Sequence, residues 1–547
     1  MSNKTLKVHE KDNVLVALSE LQKGEVIFDN ALKISVKSNG IPAKHKIALQ
    51  DFEPGDEIYM YGVLVGKATQ AISQGEQITT FNITHASNDY TLGNRKLDWQ
   101  KPNLGQFINR TFKGFKRENG EVGTANYWLV VPLVFCENHN LEIMKQAMLG
   151  ALGFTKASPY GDFTQNLVET YKNTGQIAAV KFENSEKKTS QKVFENIDGI
   201  KFLSHTMGCG GTRQDAQGLC GLLAGYITHA NVCGATVLSL GCQNAQFEML
   251  QQEIEKRGGM AGRPLYFLEQ QQLGTEEQML SGAIKKTFEG LIEANAQSRE
   301  EAPISKLCLG LECGGSDGFS GISANPALGY VSDLLVASGG SVILSEFPEL
   351  CGVEQELSDR CQTEADATRF MNLMQNYSQK ATAIGSGFDK NPSPGNIKDG
   401  LITDAIKSAG AAKKGGTSPV TGVYDYPEKI RKPGLALLCT PGNDVESTTA
   451  EVAAGANMVL FTTGLGTPTG NPIVPVIKIA SNSILADKMH DIIDIDTGGI
   501  IRGEETIEQA GEIILDFVIR AASGEQTVWA VEKGQDDFIP WKRGISL

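Results

Sequence analysis

The 547-residue chain has no long hydrophobic run. No stretch approaches the roughly 18 to 20 consecutive apolar residues of a membrane span. Its first thirty residues, opening MSNKTLKVHEKDN, lack the apolar core of a secretory leader. A cytoplasmic protein with no membrane partner is the expectation. Cysteines never stand in a CxxC pair, which removes the zinc knuckle. No GxGxxG opens a helix after a strand and no GxxxxGK[ST] loop occurs, so both common nucleotide cradles are missing. Positive charge is the minority sign, 50 Lys and Arg against 64 Asp and Glu for a net charge of -14. Those cations are scattered rather than gathered into a stripe, which excludes nucleic acid as a partner. An anionic small molecule needs a local group of cations or a metal to overcome that field.

What is present points to a large enzyme-like chain. Its length exceeds one typical core, and 41% hydrophobic content is ample to bury several. Residues 1–95 alternate short β-like runs (VLVAL, EVIF, LKISV, HKIAL, EIYMYGVLVG, EQITTFNI) with turn glycines, the pattern of a small all-β module. Residues 96–110 are polar and aperiodic, as a linker would be. From residue 111 apolar runs such as YWLVVPLVFC, ATVLSLGC, LCLGLEC and SVILSEF each precede a loop and a helix-like segment. Continuous apolar strands interleaved with helices indicate α/β architecture with mainly parallel sheets. A division into 111–395 and 396–547 is expected, the second part carrying LALLCT, MVLFTT and PVIKIAS. The polar, lysine-rich stretch 155–196 reads as a peripheral excursion.

In open parallel sheets, ligands collect where strands end and small residues let backbone amides approach. Here five strand ends carry chemistry: Cys242 and Asn244; Glu312, Cys313, Ser316 and Asp317; Glu346, Glu349 and Glu354; Asn443 and Asp444; and Thr463 with its following glycines. Helix capping explains any one of them, but a set of five suggests one crevice. In the segment SHTMGCGGTRQD, His205 and Cys209 flank a glycine turn, and Arg213 opens a helix; His229, in ITHAN, has the setting of a satisfied core histidine. Cys209, Cys242 and Cys313 each adjoin glycine at a strand end or loop, which leaves open two readings: small residues in tight turns, or three thiolates around an iron–sulfur cluster. Lys414, in AKKGGTSP, is either a solvated loop charge or a partner for a carboxylate.

The ordered segments GFKRENGEVGTANYW, SHTMGCGGTRQD, ITHANVCGATVLSLGCQN, LGLECGGSDGFSGISANPALG, SEFPELCGVEQEL, TPGNDVESTTAEVAAGAN and FTTGLGTPTG resemble the altronate and galactarate dehydratase family over most of residues 109–500. DNVLVAL, IPAKHKIAL and YGVLVGKA resemble the SAF-type β-clip domain that precedes its catalytic region. The chain departs from the family pattern at Ala125, Thr79 to Asn82, Cys439 and Leu465, losing an arginine at 125 and another at 465 and histidines near the β-clip's end.

The resemblance implies a hydro-lyase that converts D-altronate to 2-keto-3-deoxy-D-gluconate. Its implied metal is divalent iron, with Mn2+ or another divalent ion as substitute, and the iron–sulfur form stays open. Galactarate or another sugar acid, a sulfonated hydroxy acid, and noncatalytic sugar-acid binding are the alternatives, and a homo-oligomer is left open. Within this frame His205, Glu312, Asp317 and Lys414 are the candidate catalytic groups. His45, Arg213, Asn244, Ser316, Asn443 and Thr463 are candidates for substrate, and His205, Cys209, Cys242, Cys313, Glu349 and Glu354 for metal.

Overall fold

The computed structural model of the chain describes residues 4–30, 32–155, 158–183, 191–544 and 546. The all-β module forms as its alternation predicts. Thr5–Leu6, Val14–Ala17, Lys46–Ala48 and Gln77–Ile78 make one antiparallel sheet, while Glu57–Met60, Val63–Ala68 and Ile83–His85 make a second. Residues 86–104 contain no helix or strand, and they are held against the catalytic region by Thr91 N–H on Gln355 Oε1 (2.9 Å) and Lys96 N–H on Asp359 O (2.8 Å).

Two parallel sheets follow. The first has strands β1 (Tyr127–Pro132), β2 (Gly199–Phe202), β3 (Val232–Ser239) and β4 (Leu265–Glu269) in the order β2-β1-β3-β4. β1 and β3 are buried along their whole length, which is why they read as unbroken apolar runs. The second sheet has seven strands: β5 (Cys308–Cys313), β6 (Ser341–Leu344), β7 (Val420–Tyr424), β8 (Gly434–Leu438), β9 (Met458–Thr463), β10 (Val476–Ala480) and β11 (Ile495–Asp496). They lie in the order β7-β8-β6-β5-β9-β10-β11, all parallel. Helices α1 (Arg213–Ile227), α2 (Ala324–Ala337), α3 (Asp404–Ala412), α4 (Asp444–Ala454) and α5 (Ile507–Ala522) surround these sheets. α1 and α4 join the two layers, and they touch closely because Gly225 has no Cβ, which would fall 2.4 Å from Ala453 O.

The expected division at residue 395 does not follow the sheets. β5 and β6 precede it and β7 to β11 follow it, yet β5 pairs with β9 and β6 with β8. Parallel neighbours require long crossovers, and the polar segment before 396 is one of these rather than a boundary. In the excursion 155–196, helix Pro159–Thr174 buries no residue, as a peripheral helix would not. Its lysine-rich part at 184–190 lies outside the described residues.

The second sheet winds outward from β5 in both directions, through β6 on one side and β9 on the other. Such a reversal opens a crevice above the carboxyl ends of the strands, the standard ligand position of this architecture.

Candidate active site

Four carboxyl ends meet at that reversal because the register aligns them: Cys313 faces Thr462, and Leu311 faces Leu344 one residue before Ser345. β5 delivers Glu312 and Cys313. β6 runs into Ser345, Glu346 and a single 3-10 turn, Phe347–Leu350, that carries Glu349. β8 leads to Thr440 and Asn443, and α4 starts at Asp444.

Glu346 has φ 58° and ψ 57°, a left-handed conformation that costs a non-glycine residue about 1 to 3 kcal/mol. Its N–H donates to Thr440 Oγ1 at 2.8 Å, and its Oε2 accepts from Lys414 Nζ at 2.8 Å and from the Cys313 N–H at 3.3 Å. Glu349 Oε1 accepts from Lys407 Nζ at 2.6 Å, and its Oε2 accepts from the Cys313 thiol at 3.3 Å. Lys407 also donates to Asn391 Oδ1 at 3.0 Å. Both side chains of the Lys414–Glu346 pair are 1% exposed. Behind them Ser345 Oγ donates to Glu451 Oε1 at 2.8 Å.

Five carboxyl groups (Glu312, Glu346, Glu349, Asp444, Glu451) thus share two lysines, and this excess of acid sets the proton positions. Burial, then the charges of Glu346 and Glu451, push Glu312 well above the usual carboxylate range. Burial raises Glu451 to about 8. It raises Asp444, at the mouth, to about 7, with Glu346 and Glu349 adding to the shift. For Glu349 burial acts in the same sense, but Lys407 and Lys414 outweigh it and hold the group ionised. Both lysines are raised: burial opposes their charge, but the acids around them prevail.

The donor set suits a divalent ion. Ligand atoms of Cys313, Glu346 and Glu349 lie within 4.8 Å of one another, as do those of Glu312, Glu346 and Asp444. Oε1 of Glu346 and Oε1 of Glu312 are buried without a hydrogen-bond partner among the described residues. One sulfur with carboxylate oxygens is a borderline donor set of the kind iron accepts.

The all-β module closes one side of the crevice. Lys44 Nζ lies 3.0 Å from Asp317 Oδ2 and 2.9 Å from Asp399 Oδ1. His45 Nε2 meets Lys398 O at 3.0 Å and its Nδ1 meets Gln77 Nε2 at 3.0 Å, so both ring nitrogens are engaged. The glycines of GGSDGFSG receive this domain: a Cβ on Gly318 would sit 2.5 Å from Lys44 O, and one on Gly321 would sit 2.3 Å from Tyr61 Oη. Asp317 accepts from Phe319 N–H, Ser320 N–H, Ser481 Oγ and Asn482 Nδ2. It organises the loop and docks Lys44, and no lone pair is left aimed at the crevice.

The remaining expected residues divide into two places. Glu312, Cys313, Glu349 and Lys414 meet in the crevice, with Asn443 exposed at its mouth. Ser316 and Thr463 line the strand ends, but the Ser316 carbonyl accepts from Asn396 Nδ2 and Thr463 Oγ1 from Gly466 N–H. Glu354 sits five residues past Glu349, accepting from Gly352 N–H at 2.6 Å, and burial raises it to about 7. His205, Cys209, Arg213, Cys242 and Asn244 belong to the first sheet instead. His205 is 4% exposed, its Nε2 bonds to Pro132 O at 2.8 Å and its Nδ1 accepts from Met207 N–H at 3.1 Å. Both ring nitrogens therefore serve the backbone, which leaves none for a metal or a proton transfer. Cys209 and Cys242 are exposed, Asn244 donates to the Cys209 and Gly211 carbonyls, and Arg213 is exposed on the first turn of α1. Cys313 is the buried last residue of β5, in the other sheet. Among the described residues no ligand group gathers the three cysteines, so the iron–sulfur reading has no cradle.

Glu346, Lys407, Asp444 and Glu451 complete the crevice. Glu346 and Asp444 stood at strand ends visible in the sequence. Lys407 and Glu451 lie inside helical segments, and their signal was a lone charge amid small and apolar neighbours (AIKSAGAA, TTAEVAAGAN).

Comparison with known proteins identifies the family. Residues 304–546 match the model for D-galactarate/Altronate dehydratase, C-terminal; residues 114–295 match D-galactarate dehydratase/Altronate hydrolase, second domain; and residues 3–86 match the Altronate/galactarate dehydratase SAF domain. Altronate dehydratase of Bacillus subtilis (strain 168) is 35% identical over 545 residues, 99% of each chain. The chain belongs to the altronate/galactarate dehydratase family. Altronate dehydratase of Escherichia coli (strain K12) is 33% identical over 99% of each chain. Galactarate dehydratase (L-threo-forming) of the same organism is 30% identical over 97% of this chain and 94% of its own. The family makes the protein a hydro-lyase, a sugar-acid dehydratase, and the all-β module its SAF domain. Among the described residues no helix is long and apolar enough to cross a membrane.

Proposed function

We propose that this member of the family dehydrates D-altronate to 2-keto-3-deoxy-D-gluconate in the crevice above β5, β6, β8 and β9. The observation that carries the reading is the convergence of five carboxyl groups on two buried lysines at the switch point of one parallel sheet. The reaction removes the proton from the carbon beside the substrate carboxylate and expels the hydroxyl of the next carbon as water, leaving an enol that becomes the ketone. It needs a group that accepts a proton near neutral pH and another that still holds one. Asp444, half-buried at the mouth and pushed up to about 7, takes the proton. Glu312, which burial keeps protonated, gives one to the departing hydroxyl. Lys407 and Lys414 hold Glu349 and Glu346 in place, and Asn443 meets the sugar hydroxyls at the rim.

Cys313, Glu346 and Glu349 are the residues that would hold divalent iron, whose chemistry here is Lewis-acid stabilisation of charge developing at the substrate carboxylate. The choice of D-altronate is supported by the identities, 35% and 33% to the two altronate dehydratases against 30% to the galactarate dehydratase.

The test is a panel of D-altronate, galactarate and sulfolactate given to the full-length protein with Fe2+ under anaerobic conditions, reading 2-keto-3-deoxy acid and sulfite. The highest kcat/KM is expected on D-altronate. Faster turnover of galactarate reassigns the substrate, sulfite release reassigns the reaction, and binding without product makes the chain a binding protein.

A further inference from the structure

Three potential metal ligands meet outside the crevice, and nothing in the dehydration uses them. His85 ends the last strand of the SAF domain, Cys351 follows the 3-10 turn of Glu349, and Asp404 is the first residue of α3. One ligand atom from each lies within 4.8 Å of the other two. Asp404 is fully buried and faces the Cys351 thiol; its Oδ1 accepts a long bond from Ser408 Oγ (3.4 Å), and its Oδ2 has no hydrogen-bond partner among the described residues. The His85 ring accepts an equally long bond, Nδ1 from the Ala405 N–H at 3.4 Å. A buried carboxyl group left this poorly bonded is costly, and here it stands with an imidazole and a thiol, the three brought from separate segments.

We propose that His85, Cys351 and Asp404 form a second metal site, for a zinc-type divalent cation, that fastens the SAF domain to the catalytic domain. One nitrogen, one sulfur and one oxygen select zinc, cobalt or ferrous iron over magnesium or calcium. Tetrahedral bonds of about 2.0 to 2.3 Å place ligand atoms roughly 3.3 to 3.8 Å apart, so the three donors close by a small side-chain movement. The fourth position is open to water. Ligation forms bonds from the metal to nitrogen, sulfur and oxygen, and releases one proton from Cys351 and one from Asp404 to solvent, with no change of oxidation state.

Position gives the site a role. Cys351 lies two residues beyond Glu349 and Asp404 three before Lys407, the partners of the 2.6 Å pair in the crevice. Thr403, which caps α3, donates to Val65 O of the SAF domain at 2.9 Å. A metal here would hold together three segments: the SAF strand end, the Glu349 turn and the start of α3.

The experiment uses full-length Cys313→Ser protein, stripped of metal by chelation and titrated with Co2+ under reducing conditions. Removing Cys313 deletes the crevice thiol, so failure of the crevice reading and failure of this one are separable. The expected result is a thiolate-to-cobalt charge-transfer band with tetrahedral visible bands, saturating at one equivalent per chain. It disappears when Cys351→Ser or, independently, His85→Gln is added. Metal raises the melting temperature of the Cys313→Ser parent and leaves that of either double variant unchanged. Absence of the band in the Cys313→Ser parent, or its survival in both double variants, overturns the proposal.

Discussion

Replacing Lys414 by methionine tests the electrostatic design of the crevice. Lys414 and Glu346 are each 1% exposed and 2.8 Å apart, so solvent does not screen the loss. Removing one partner of a buried pair leaves an uncompensated charge and costs about 3 to 5 kcal/mol. In a domain of the size spanned by residues 304–546, each kcal/mol moves the melting temperature by about 2 to 4 °C, so K414M should melt ~6–20 °C lower. Adding Glu346→Gln removes the orphaned carboxylate, and the double variant should regain at least half of that loss while remaining inactive. Differential scanning calorimetry of the two variants decides it. A single variant within ~2 °C of the parent, or a double variant no more stable than the single, would refute the claim that the pair is held by mutual compensation.

The other predictions concern protons and roles. Asp444→Asn should lower kcat by about 10²- to 10⁴-fold, the range of a lost acid–base group, and abolish the limb of the pH–rate profile near neutrality; an unchanged limb assigns it to another group. Asp444 at about 7, Glu354 at about 7 and Glu451 at about 8 all lie above their ordinary values. The native state therefore keeps protons that the unfolded chain releases, and stability should fall as pH climbs from about 5 to about 8. Thermal melts across that window should slope downward, and Glu451→Gln should flatten the slope; an upward slope contradicts the buried-acid picture. His205→Phe should lose about 1 to 3 kcal/mol by leaving the Pro132 carbonyl and Met207 N–H unpaired, while kcat of the folded enzyme stays unchanged. A collapse of kcat with no loss of stability would return His205 to the chemistry.

Local pattern carried much of the protein into view. The short β-like runs before residue 95, broken by turn residues, specify short antiparallel strands because tight turns return the chain alongside itself. The unbroken apolar runs from residue 127 onward specify buried parallel strands, because both faces are covered. Glycine and acid at the strand ends located the crevice, since a parallel sheet exposes its carboxyl ends together. Glu312, Cys313 and Glu349 were legible on that ground, whereas Lys414, in the AKKGGTSP loop, stood open between a solvated charge and a carboxylate's partner until the fold buried it against Glu346.

Which strand ends share a crevice was not legible. Two parallel sheets exist, and Cys242 and Glu312 terminate strands of equal character in different ones; nothing local to either strand says which sheet it joins. The role of His205 depends on the Pro132 carbonyl 73 positions away, and the docking of GGSDGFSG depends on Lys44 and Tyr61 from the SAF domain. The sequence by itself determined the strands, their burial and the acids at their ends, because these follow from period and polarity over a few residues. Tertiary structure alone decided which acids share Lys407 and Lys414, because charge compensation depends on distance through space, and only the crossovers set that distance.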